Sequence, residues 1–209
     1  MEFRSSTAQR LPVEIADWID DRSGGRRIRL ALDAPVAEHG AQLAESLVDE
    51  LARRGRPALR VAAAGFLRPA SLRWEHGRQD PDSYPDWLDH AALRREVLTP
   101  AETTGTGRIL PSRWDPITDR ATRADYVALQ PNSVVIVDGM FLLDGTLDFD
   151  LTVHLAVSPR AMQRLIPEEL QWTLPAHRRY ATESVPSEVA DLIVQMDHPE
   201  RPAYRRRSR

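Results

Sequence analysis

Apolar positions along this chain follow two periods, and segments of each period alternate. Residues 11–21 place Val13, Ile15, Trp18 and Ile19 on one face, which predicts an amphipathic helix stopped at Ser23-Gly24-Gly25. Residues 27–33 (RIRLALD) alternate and close on an acid, the pattern of a strand. Residues 40–54 put Leu43, Leu47, Val48 and Leu51 on one helical face, with Gly55 as the stop. A second strand is predicted over 58–64 (ALRVAAA). Residues 133–138 (SVVIVD) form a continuous apolar run, which suits a central strand covered on both faces. Another strand is predicted over 151–157, helices over 159–172 and 176–183, and a last strand over 189–194. Between 65 and 131 no period holds; Pro, Arg, Asp and Trp dominate, and one helix is expected near 86–98.

Strands alternating with helices predict an α/β fold, a three-layer doubly wound parallel sheet. Ligands of such sheets bind beyond the carboxyl ends of the strands, so Asp33, Ala64 and Asp138 mark the place to look. The expected organisation is an N-terminal helix and linker (1–25), an α/β domain (26–204) with an irregular segment (65–131), and a basic disordered tail (205–209). Neither an internal repeat nor a low-complexity tract is present.

Composition narrows the function. The chain has 209 residues, enough for one domain, and 42% hydrophobic residues, enough for a core. A net charge of −3 argues against general nucleic-acid binding. The absence of cysteine excludes disulfides, thiolate metal sites and cysteine nucleophiles, and fits a reducing compartment. With no apolar run long enough for a signal peptide or a membrane span, a cytoplasmic protein is expected. The six histidines show no metal-ligand spacing, and no serine sits in a GxSxG elbow. All 28 basic residues of the Lys/Arg class are arginine. A coding bias explains most of those positions, but it would spare a lysine that catalysis requires.

Five pieces in order, RIRLALDAP, LRVAAAGFLRPASLRWEHGRQDPDSYPDWLDHAALRREVL, SVVIVDGMFLL, DLTVHLAVSPRAMQR and VADLIVQMDHPERP, make residues 28–204 resemble the uridine kinase and phosphoribulokinase group of P-loop kinases, in its actinobacterial form. The resemblance implies a P-loop NTPase sheet of the nucleoside kinase type. It also implies a phosphate loop GxxxxGK[ST], whose backbone cradles phosphate, whose lysine reaches the outer phosphates and whose hydroxyl holds magnesium. On this chain the two glycines fall on Ala34 and His39, the lysine on Gly40 and the hydroxyl on Ala41. Glu38 adds a carboxylate; a unit charge about 4 Å away is worth roughly 4 kcal/mol at an effective dielectric near 20. The family's second strand ends on an aspartate that orients or deprotonates the acceptor hydroxyl. That position is Ala64, and the family's neighbouring histidine is Leu67, between intact Gly65, Phe66, Arg68 and Pro69.

The resemblance also implies roles for what survives. Asp138 falls where the family has an acid near magnesium; it reads equally as an acid closing a strand before Gly139. Arg68, Tyr84, Asp86, Asp89, Arg113, Trp114 and Asp115 match the acceptor side, against a reading as ties within the irregular segment. Arg164, Arg178 and Arg179 fall in the family's lid over ATP, against a reading as a solvated face interrupted by Pro167, Pro175 and Pro186. His39 would face the old phosphate site and, protonated, bind an anion. Asp33 reads as a turn residue. Three of the five tryptophans (Trp74, Trp87, Trp114) fall in the acceptor half, as an aromatic pocket or as core.

The leading expectation is a uridine kinase-like protein that no longer transfers phosphate from ATP, with no cofactor assigned. It would keep a pocket for a small polar or nucleoside-like ligand, or serve a protein partner, a homodimer included. Two alternatives stay open. One is an active kinase using ATP, Mg²⁺ and arginines such as Arg68 or Arg178. The other is a non-phosphoryl enzyme using Asp86, Asp115 or Asp138 as acid or base.

Overall fold

The computed structural model describes residues 2–207. In chain order its strands are β1 (Arg4–Ser5), β2 (Ile28–Asp33), β3 (Ala58–Ala62), β4 (Arg108–Ile109), β5 (Trp114–Asp115), β6 (Arg120–Ala121), β7 (Val127–Ala128), β8 (Val134–Gly139), β9 (Leu151–Ala156), β10 (Leu192–Gln195) and β11 (Ala203–Arg206). Its α-helices are α1 (Leu11–Ser23), α2 (Ala37–Arg53), α3 (Ala70–Arg73), α4 (His90–Leu93), α5 (Thr99–Ala101), α6 (Pro159–Leu165), α7 (Leu174–Glu183) and α8 (Pro186–Val189). One sheet runs β1-β11-β10-β9-β2-β8-β3. The five strands from β10 to β3 are parallel; at one edge β11 runs antiparallel to β10, and β1 antiparallel to β11. The α/β architecture expected from the alternating pattern is present, with this antiparallel edge added.

Strand alternation builds two cores. Ile28, Leu30 and Leu32 of β2 and Val134 and Ile136 of β8 pack under α1 and α2. Ala31, Val135 and Val137 face the other way, against Phe66, Leu93, Val97 and Ile109 of the irregular segment. The same parity governs the strand ends, because side chains two apart share a face. Asp138 follows Ile136 onto the α2 face. Asp33 follows Ala31 onto the opposite one, as does His154, between Val153 and Leu155 on β9.

Several elements differ from expectation for local reasons. The helix expected at 159–172 ends at Leu165, because Ile166 precedes Pro167 and takes extended angles (φ −80°, ψ 126°). A 3₁₀ turn, Glu168–Thr173, follows. The helix expected at 86–98 is a chain of short turns: 3₁₀ at Tyr84–Trp87, α4 capped by Asp89, and a π turn at Arg94–Leu98. The strand expected at 189–194 begins at Leu192, after α8, and it is not the last: β11 follows it. The tail expected to be disordered from 205 is ordered through Arg207. Tyr204 is buried and draws β11 onto β10, while Arg206 donates to the Glu14 carbonyl and Arg207 to the carbonyls of Asp191 and Val189. Residues 208–209 lie outside the described part. Among the described residues no helix is long and apolar enough to cross a membrane.

Candidate functional site

The β2–α2 connection is the first element of the site, and it is short. Helix α2 starts at Ala37, three residues before the pattern predicts, leaving only Ala34, Pro35 and Val36 between strand and helix. A phosphate loop works by leaving several backbone N–H groups unpaired around an anion. Here the Val36 carbonyl accepts from the N–H groups of His39 (3.1 Å) and Gly40 (3.3 Å), and the Ala34 N–H donates to the Gly139 carbonyl (2.8 Å). Ala34 is buried, and a Cβ built on Gly40 would stand 2.8 Å from the Ala34 Cβ. The Ala34 methyl therefore packs against Gly40, and the segment from Ala37 is wound into helix. Glu38 is exposed and accepts from the Gln42 side chain (3.0 Å), and Ala41 lines the adjoining cavity. Burial pushes the His39 imidazole below its usual value, against a smaller opposing pull from Glu38, so the anion-binding role expected of a protonated His39 loses support.

Asp138, at the end of β8, is gripped by Arg60 of β3. Arg60 Nε donates to Oδ1 at 2.8 Å and a terminal nitrogen donates to Oδ2 at 2.9 Å. The other arm of Arg60 reaches Glu45 on α2 at 2.7 Å. Register explains the pair: Arg60 lies beside Ile136 and Ala62 beside Asp138, so Arg60 and Asp138 share a face on a diagonal. The Asp138 carboxylate is only 6% exposed, and its charge is met by a guanidinium. Among the described residues no group of three or more His, Cys, Asp or Glu could hold a metal ion. At the positions that the resemblance assigns to the lysine and hydroxyl stand Gly40 and Ala41, which carry no group for Mg²⁺ or triphosphate, and the Asp138 carboxylate is already paired with Arg60.

In front of this pair lies a cavity of about 400 Å³. Alanines 37, 41 and 62–64 form one side, and Tyr84, Trp87, Phe141 and Trp172 the other. Tyr84 stands edge-on to Trp87, Phe141 and Trp172, with centroids 5.0, 5.6 and 5.1 Å away. Burial pushes the Tyr84 phenol up to about 12. Phe141 takes a left-handed backbone (φ 61°), which a bulky residue rarely adopts.

The structure separates several residues that the resemblance grouped with this pocket. Asp86 is exposed and Arg68 projects to solvent. Arg113 pairs with Asp89 (2.7 Å), the cap of α4. Trp114 donates to Asp119 (3.0 Å), and Asp119 in turn accepts from the Ala70 N–H. Asp115 accepts from the Thr118 hydroxyl and the Ile117 N–H, bonds that hold its carboxyl below the usual range. Trp74 is partly exposed, under the guanidiniums of Arg73 and Arg78. These are ties of the irregular segment. The tryptophans of the pocket are Trp87 and Trp172. In the lid region, Arg164 donates to the Asp197 carbonyl, Arg178 is exposed, and Arg179 binds Asp82 and the Pro81 carbonyl.

A second buried group was not singled out by pattern. Asp33 is 1% exposed, so it is no turn residue at the surface. Its Oδ1 accepts from the Leu142 N–H (3.0 Å), and its Oδ2 meets His154 Nδ1 (2.7 Å) and the Tyr180 hydroxyl (3.0 Å). Asp33 and His154 are direct register partners on β2 and β9. The Tyr180 oxygen also accepts from the Leu143 N–H (3.0 Å), so α7 is tied to the sheet end by one hydroxyl. Burial, reinforced by Asp33, pushes the Tyr180 phenol far up. His177, buried on the same helix against Phe141, is pushed down to about 4 by loss of hydration. The signal for this group was in the sequence: a histidine inside the apolar run LTVHLAV, and an acid closing the first strand.

No protein-family model matches this chain, and no curated protein does. Solved structures do. A protein described as a possible uridine kinase from Bacillus stearothermophilus superposes with a TM-score of 0.71 at 17% identity, over 87% of this chain and 96% of that one. A protein assigned as a fructose transport system kinase from Silicibacter sp. TM1040 gives 0.57 at 20% identity, over 88% and 93%. The D-glycerate 3-kinase of Cryptococcus neoformans var. grubii gives 0.53 at 13% identity, over 84% and 79%. The fold is that of the P-loop kinases.

Proposed function

We propose that this chain is a uridine kinase-like protein, of the actinobacterial type with a degenerate phosphate loop, that no longer transfers phosphate from ATP and acts by binding a small molecule in the old acceptor cavity. One observation carries the reading: the Ala34 side chain packs against Gly40 and α2 already begins at Ala37, and in our reading they take the volume where a phosphate would be cradled. Opening that volume requires unwinding a helical turn and moving a buried methyl group, without a lysine to repay the cost electrostatically. A cytoplasmic protein, as a homodimer or with a protein partner, is consistent with this role.

An active kinase needs a cation in place of the lysine. Arg60 is the cation among the residues lining the cavity, and it is committed to Asp138 and Glu45. Neither Arg68 nor Arg178 lines that cavity. An acid–base enzyme of another kind would draw on Asp86, Asp115 or Asp138, which are exposed, turn-bound and ion-paired respectively.

The test is calorimetric titration of the purified protein with Mg-ATP, run beside an ADP-release assay against uridine, cytidine and simple sugars. No saturable heat and no acceptor-dependent ADP are expected. Micromolar binding of ATP accompanied by turnover overturns the reading.

A further inference from the structure

The chemistry of the cavity narrows its ligand. Apart from its floor and rim the lining is almost wholly alanine, leucine and aromatic rings. The charged residues that line it are Glu38, Arg60 and Asp138, two anions against one cation. Arg60 is already engaged by two carboxylates, Asp138 and Glu45. An entering carboxylate or phosphate would have to compete with both, inside a cavity of negative sum. Charged ligands of that sign are disfavoured.

A nucleoside is disfavoured for a second reason. Ribose hydroxyls and base carbonyls lose water on entering and need partners from the wall. Among the described residues the Tyr84 hydroxyl has only the Met140 sulfur as a partner, at 3.5 Å. The Trp87 indole N–H is buried without a partner among the described residues. Aspartate is replaced by Ala64 at the position that would meet an acceptor hydroxyl. Beside Arg60, the wall offers flat π surfaces and the Tyr84 hydroxyl as a side-chain donor; the Trp87 N–H has almost no accessible surface. At about 400 Å³ the cavity falls in the range of small-molecule sites, roughly 300–1,000 Å³.

We propose that the cavity between the alanines of β3 and α2 and the rings of Tyr84, Trp87 and Trp172 binds an uncharged, planar aromatic molecule of about two fused rings, and not a nucleoside or an aromatic acid. This rests on the reading above, in which the floor is not required for Mg-ATP. The ring slots between the aromatic wall and the methyl-lined wall. A single polar substituent on the ring suffices for the donors present.

The probes are 2-naphthol, its anionic counterpart 2-naphthoate, and uridine, each titrated calorimetrically into the full chain at pH 7. A one-to-one dissociation constant on the order of 10–100 µM is expected for 2-naphthol, typical of so few heavy atoms. Binding of 2-naphthoate should be at least tenfold weaker, and uridine should give no saturation at millimolar concentration. Ala62→Leu and the more exposed Ala64→Leu fill the cavity from β3 and its following turn. Each should weaken 2-naphthol at least tenfold while far-UV circular dichroism and thermal melting stay those of the parent. Should Ala62→Leu fail to fold, Ala64→Leu carries the comparison. Undetectable 2-naphthol binding, equal affinity for naphthoate, tighter binding of uridine, or a folded filling variant that binds like the parent would each overturn the proposal. ATP turnover in the same preparation would remove the proposed function and, with it, the premise of this ligand class. Failure of naphthol with no turnover would remove the ligand class alone.

Discussion

Ala34 and Gly40 form a compensated pair: the side chain of one occupies the place that the other leaves by having none. A Cβ added at Gly40 would meet the Ala34 Cβ at 2.8 Å, a contact that real structures do not tolerate. The phosphate-loop pattern has the reverse arrangement, glycine first and a long side chain second. The two residues are therefore coupled through the space they share.

Gly40→Ala should destabilise the protein by about 1–3 kcal/mol, the usual range for overpacking. Adding Ala34→Gly should recover most of that loss, although glycine alone before a helix weakens the backbone. Urea denaturation of the two single variants and the double variant measures the coupling. Additive effects would show that the two residues do not share the space.

The Arg60–Asp138 pair makes a second prediction. Arg60→Met leaves a buried carboxylate facing Glu45 with no cation between them, and should cost about 3 kcal/mol. The double variant with Asp138→Asn should cost much less than the sum of the two single changes. A coupling near zero in equilibrium unfolding would mean that solvent already screens the pair.

Tyr180 supplies one hydroxyl to two partners, Asp33 and the Leu143 N–H. In Tyr180→Phe a buried carboxylate oxygen and a backbone N–H each lose a bond, for a total of about 1–3 kcal/mol. The change should be local. Hydrogen exchange should speed up along α7 and the 142–143 turn, while β2 and β8 keep their protection. Faster exchange spread evenly through the sheet would count against a latch.

His177 predicts a pH dependence. Its folded-state value is lowered from 6.5 to about 4 by burial, so the unfolded chain binds its proton first. The stabilisation is complete above 6.5 and is lost as pH falls from 6.5 towards 4. At about 1.4 kcal/mol per pH unit this amounts to as much as roughly 3 kcal/mol. His177→Phe should show a shallower fall in unfolding free energy between pH 6.5 and 4.5 than the parent. Equal slopes would mean that His177 is hydrated in the folded protein.

The arginine-only composition acquires a structural meaning at some positions. Buried Arg56 spans Asp20, the Ser23 hydroxyl and the carbonyls of Arg26 and Asn132, and buried Arg27 spans the carbonyls of Pro100, Glu102 and Gln130. A fork of donors makes such multiple contacts; a lysine ammonium would not span them.

Read along the chain, local pattern was enough to place β2, α2, β3, β8 and β9, since period and turn residues act between near neighbours. The identities at 34, 40, 41 and 64 were equally plain, and on them rests the proposal that phosphoryl transfer is lost. Pairing across the sheet was not readable in this way. Arg60 meets Asp138, and Asp33 meets His154, because of strand order and register, and those depend on contacts between segments far apart in the chain. The aromatic wall unites residues 84–87, 141 and 172, whose separation no periodicity encodes. Whether the β2–α2 segment would curl around an anion or wind into helix also depended on packing: the Ala34 methyl found its place only against the backbone of Gly40.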